Sequence, residues 1–180
     1  KFGSSLILMV EIALALSKGK PKIAAQAAQS ALDASIRQKL PSQPFFYAVQ
    51  AFVAEQTGDF ETASTALENA LSQWPDEARW HVWAAEMQKG LAAPDTEIAL
   101  KHLSQAIHFE PKHGAHYLKL GKIYLEIGDP ESAIPVLEQA ACSLSKQSEP
   151  RMALARAYQA TGDIAQIFNN AERAAELDPR

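Results

Sequence analysis

The sequence has one cysteine, Cys142, in 180 residues, so no disulfide can close within the chain. That usage fits a reducing, cytoplasmic setting. It has no excess of positive charge: 17 Lys/Arg stand against 21 Asp/Glu, a formal net charge of −4. No overall basic field draws nucleic acid to such a chain. It has no apolar run long enough to span a bilayer, since Leu6–Leu16 is short and contains Glu11. Behind Lys1 that run also has the length of an export-signal core, but a buried helix is the reading adopted. There is no GxxxxGK[ST] loop, no GxGxxG turn and no serine elbow. These absences remove nucleotide-binding and serine-hydrolase signatures, and an enzyme is not expected.

What the sequence does have is alanine and other strong helix formers, with few β-branched residues, which points to an all-α fold. It also has a period. Tyr124 and Tyr158 are 34 residues apart, and so are Gly128 and Gly162. A fixed spacing of this size marks stacked helix pairs. The pattern predicts about five helix–turn–helix units, over residues 5–38, 44–76, 77–113, 114–147 and 148–180. In the second, a helix from about Phe45 to Gln56 stops at Gly58, and Asp59 caps the next. That partner helix turns Phe60, Ala63, Leu67, Ala70 and Leu71 inward. In the third, Trp80, Trp83, Ala84 and Met87 share a face, and the turn through Gly90 and Pro94 is longer. Ile98, Ala99, Leu103, Ala106 and Ile107 are expected to face inward behind an Asp95 cap. The start at Lys1 and the end at a repeat boundary suggest a piece of a longer protein.

The recurring marks are a small residue at each helix crossing (Ala51, Ala84, Gly121, Ala155), a Gly-Asp turn (Gly58-Asp59, Gly128-Asp129, Gly162-Asp163) and a closing proline (Pro75, Pro111, Pro179). A small residue early in the second helix (Ala24, Ala63, Ala99, Ala133) and a later alanine (Ala31, Ala70, Ala106, Ala140, Ala174) complete the set. In these five marks the chain resembles the tetratricopeptide repeat family over nearly its whole length. Ala54 and Met87 stand where that family often has tyrosine, Ile167 replaces a small residue, and Ile12 is large for its position.

The resemblance implies an α-solenoid of antiparallel helix pairs winding as a right-handed superhelix. It also implies a protein–protein interaction scaffold with no cofactor, whose first helices line a groove for a partner's peptide or helix. Carried over by register, the groove candidates are Phe45, Phe52, His81, Ala85, Gln88, Leu118, Lys122, Arg156 and Gln159, with Leu6 and Met9 before them. A clamp on a C-terminal carboxylate is disfavoured, because Phe52, Val82 and Ala85 stand where asparagine and basic residues would be needed. The expected occupant is an amphipathic segment with acidic residues, met by Lys122 and Arg156. Neither of these has an acidic partner assigned to it within its own helix. Two other roles remain open: a regulatory or substrate-presenting module attached to a catalytic domain elsewhere, and self-association through an uncapped last helix, about Ile164–Leu177.

One constellation looks like chemistry. His113 and His116 stand three apart, with Glu110 three residues before, a spacing that suits a metal. Pro111 and Gly114 interrupt it, so the stretch is read as a polar turn and helix start, and no metal is expected. Cys142 reads as a small residue on a helix, where free cysteine is usually buried.

Overall fold

The structure, a computed structural model, describes residues 44–178 together with 19, 20, 23, 24, 26, 27, 29, 30 and 33. Most of the expected first repeat, with Leu6, Met9 and Ile12, lies outside these residues, as does the side chain of Phe45. Every described position from 23 to 33 is helical, as the sequence predicts for the second helix of that repeat.

From residue 44 onward the described chain is helical and contains no strand. We number the helices α1 (Pro44–Thr57), α2 (Phe60–Gln73), α3 (Ala78–Met87), α4 (Thr96–Phe109), α5 (Gly114–Glu126), α6 (Pro130–Ser143), α7 (Glu149–Thr161) and α8 (Ile164–Leu177). A single 3₁₀ turn, Gln88–Gly90, extends α3. None of the described helices is long and apolar enough to cross a membrane.

The Gly-Asp turn is built the same way three times. Gly58, Gly128 and Gly162 sit at φ of 76°, 76° and 81°. A side chain strains there, so glycine ends the helix. The next amide then reaches back: Asp59 N–H donates to Ala54 at 2.9 Å, Asp129 to Tyr124 at 2.9 Å and Asp163 to Tyr158 at 3.0 Å. Each aspartate carboxylate in turn accepts from an amide three residues on, in Thr62, Ser132 and Gln166. One dipeptide thus satisfies a carbonyl of the ending helix and an amide of the starting one. At Asp59 the Thr62 side chain and then its amide hold the carboxyl below its ordinary range. Ser132 does the same at Asp129.

The described residues form two compact units, one ending at Asp95 and one beginning at Thr96. In the first, α2 packs on both α1 and α3 around Ala51, Ala63, Leu67 and Ala84, with Phe60, Trp80 and Trp83 half-buried against them. In the second, α4 through α8 pack in succession around Leu118, Ala133, Leu137, Ala153 and Leu154, with Tyr117, Tyr124 and Tyr158 against them. Leu67, Leu103, Leu137 and Leu154 are fully enclosed, each contributing about 1.5–3 kcal/mol by leaving water. The small residues allow close approach. A Cβ on Gly121 would lie 2.5 Å from Leu137 Cδ2 and Cγ, and one on Gly90 would lie 2.3 Å from the Phe60 ring.

Two expected positions differ. Ile98 is 38% exposed, and the helix buries His102 on its inner side instead. Cys142 is exposed, because the inward positions of α6 are taken by Leu137, Ala140 and Ala141.

Candidate functional site

A concavity in the second unit lies between α5 and α7, the first helices of successive repeats. It is lined by Lys122, Leu125 and Glu126 from α5, and by Glu149, Met152, Ala153, Arg156 and Ala160 from α7. The α7 residues fall at helical intervals of three and four, so they share one stripe. The groove encloses about 640 Å³, a volume that suits a few side chains of a bound segment. Its floor is small and apolar, and Met152 stands 49% exposed within it.

Lys122 and Arg156, one repeat apart in sequence, both line this concavity. Their electrostatic states differ. Lys122 Nζ is ion-paired with the Glu149 carboxylate of the following helix. Arg156 is exposed and has no hydrogen bond or ion pair to any described residue. The partner of Lys122 comes from the next repeat, which inspection of its own helix could not reveal. The groove also carries two acids, Glu126 and Glu149, so its charge is mixed rather than basic.

The other sequence-derived candidates are placed as follows. Phe52 is 37% exposed on α1, and Gln159 is exposed on α7 outside the groove lining. His81, Ala85, Gln88 and Leu118 are buried, so their side chains offer a partner almost no surface. His81 instead contacts the Pro75 carbonyl through Nε2 at 2.8 Å, and the Gln88 side chain accepts from the Asp95 amide at 3.4 Å. Glu149, Met152 and Leu125 line the groove but were not singled out in the sequence. The intervals running back from Arg156 to Met152 and Glu149 would have identified two of them.

Behind the groove, α7 is fixed from both sides. Tyr158 donates its hydroxyl to Glu138 of α6 at 2.9 Å, and Arg151 donates to the buried Asn170 of α8 at 3.1 Å. Burial, followed by the bond to Glu138, raises the Tyr158 hydroxyl above its ordinary range, so it stays a donor throughout the neutral range. On α8, Ile164 and Phe168 are 67% and 71% exposed, and Ala171 and Ala175 continue their face.

The sequence profile of the tetratricopeptide repeat family matches residues 49–88 and 91–149. Among curated proteins there is no match. A crystal structure of MamA protein superposes with a TM-score of 0.88 at 17% identity, covering 99% of this chain and 94% of that one. MamA of Desulfovibrio magneticus RS-1, from its residue 41 to its end, gives 0.69 at 18% identity over 76% of each chain. A thermophilic tetratricopeptide protein of Thermus thermophilus gives 0.61 at 22% identity, over 98% of this chain and 92% of that one. At these identities the likeness is one of fold. The profile match covers more than half of the sequence and agrees with the repeat geometry: the chain belongs to the tetratricopeptide repeat family.

Proposed function

We infer that this chain is a protein–protein interaction scaffold, and that the α5–α7 groove seats a short amphipathic segment of a partner protein. The observation that carries the reading is Arg156, an exposed guanidinium without a partner among the described residues, beside the exposed Met152 over an apolar floor. A segment presenting one carboxylate and one apolar side chain would complement both. Met152 suits such a role because its flexible thioether adapts to different apolar shapes. Lys122 is a secondary contact, since it must leave Glu149 to engage a partner; an exposed pair of this kind holds with about 0–1 kcal/mol. Phe52, on the first unit, is an independent apolar contact. No catalytic role is assigned, because the family builds binding surfaces from stacked helix pairs.

The test is capture of partners by the whole chain, followed by affinity measurement on the captured protein. Arg156→Glu is expected to weaken binding about tenfold, as expected for loss of a charge-assisted contact. Adding Lys122→Glu is expected to weaken it further and to flatten the salt dependence. Unchanged affinity and salt slope in the double variant would overturn the groove assignment while leaving the scaffold fold intact.

A further inference from the structure

Outside the groove, the turn between α4 and α5 gathers three groups with metal-ligating atoms. Glu110 follows the last turn of α4, His113 is the N-cap of α5, and His116 lies in the first turn of α5. Pro111 and Gly114, which interrupt the stretch in sequence, do not separate these groups: the chain folds back on itself across them. One ligand atom from each of the three lies within 4.8 Å of the others. The two imidazole rings are 4.3 Å apart between centroids, and His116 Nε2 is 3.0 Å from Glu110 Oε2.

A second observation is independent of this clustering. His116 is 4% exposed, and its Nδ1 is buried with no hydrogen-bond partner among the described residues. A carboxylate only accepts, so the neutral ring keeps its proton on Nε2 toward Glu110, and the lone pair on Nδ1 is orphaned. Leaving such a group unmet costs about 1–3 kcal/mol. A cation held between Nε2 and Glu110 takes the Nε2 lone pair and lets the ring proton sit on Nδ1, so that Glu110 and His116 become ligands of one ion.

We propose that Glu110, His113 and His116 form a binding site for one divalent transition-metal ion of the zinc class, which staples the end of α4 to the start of α5. Two imidazoles and one carboxylate suit Zn²⁺, Ni²⁺ or Cu²⁺ rather than Mg²⁺ or Ca²⁺, which want oxygen donors. Bonds of about 2.0–2.2 Å need ligand atoms closer together than this, so the side chains must close by about an ångström. Glu110 and His113 are exposed and able to do so. Lys112 lines the same open depression and opposes a cation there, although its side chain is exposed and screened by water.

The experiment is calorimetric titration of the whole chain with ZnCl₂, repeated with MgCl₂ and on His113→Ala and Glu110→Gln. His113 is the decisive position, because it is exposed and its side chain caps no amide, so its loss leaves the fold standing. Expected are one saturable Zn²⁺ site per chain, a raised melting temperature with Zn²⁺, no competition from Mg²⁺, and at least about tenfold weaker binding in each variant. Absence of saturable binding would overturn the proposal. So would wild-type affinity in His113→Ala, which would place the ion at His81, His102 or His108 instead.

Discussion

The turn after α2 and the turn after α4 are the same structure made from different chemistry. In each, a proline carbonyl is met by a side chain six residues on: His81 Nε2 at 2.8 Å from Pro75, and the Tyr117 hydroxyl at 3.0 Å from Pro111. In each, the residue before the proline meets the residue before that side chain. In the first turn this pair is Trp74 stacked on Trp80, with centroids 5.4 Å apart and planes 15° apart. In the second it is Glu110 bonded to His116. The repeat therefore dictates a contact and not its chemistry. Where the contact is aromatic, neither ring leaves a buried polar atom unsatisfied among the described residues. Where it is polar, one buried nitrogen is left unsatisfied.

The same lesson holds inside the helices. The α1–α2 pair crosses with Ala51, while α5–α6 crosses with Gly121. At corresponding positions, the Thr65 hydroxyl donates to the Glu61 carbonyl at 3.0 Å, whereas Pro135 has no N–H to give Glu131.

The largest effect that would break this equivalence is Gly121→Leu. The added side chain meets Leu137 at once, and a loss of about 3 kcal/mol is expected in denaturant unfolding, at the upper end for overpacking. Lys146→Leu, in the exposed linker after α6, is the control and should change little. Equal midpoints for both would mean that the crossing tolerates bulk. Next in size is Pro135→Ala, which restores a helix bond on an exposed face. A gain on the order of 2 kcal/mol is expected, below the interior proline penalty because the site lies in the second turn. Destabilisation instead would show that the proline shapes the packing of α6.

Trp74→Ala sharpens the comparison of the turns. Trp74 is 45% exposed, so its stack rather than deep burial is at stake. A loss of about 0.5–1.5 kcal/mol is expected in the same unfolding measurement. Glu110→Gln is its counterpart in the other turn.

The smallest effect is on the caps. The carboxyls of Asp59 and Asp129 are held below their usual value of 3.8 when folded. Their contribution is therefore fully present above that value and is lost as pH falls through the lower folded value. Asp59→Ala with Asp129→Ala should lower the melting temperature at pH 7, and the difference from wild type should shrink in melts run below about pH 3.8. A difference that persists undiminished in acid would show that the carboxylates are not what caps α2 and α6.

Much of this was legible in the sequence because the repeat writes backbone demands in residue types. Gly58, Gly128 and Gly162 mark positive φ, each following aspartate marks a cap, and Gly121 marks a close crossing. Side-chain partners were not legible when they came from another helix. Glu149 lies 27 residues from Lys122, and Glu138 lies 20 from Tyr158. His81 and Leu118 face inward although the register places them on the row that lines a groove. That register gives a helix face only to within a turn, and burial is decided by what packs beyond it. The turn at Pro111 looks like an interruption in sequence, because linear spacing does not show that a chain folding back brings its ends together.

The central claim is that a partner segment lies between α5 and α7. It is tested most directly by amide hydrogen exchange on the whole chain, with and without a captured partner. Added protection is expected over Lys122–Glu126 and Glu149–Ala160, with α6 and α8 unchanged. Protection confined to α6 or α8, with the α5 and α7 amides unaffected, would contradict it.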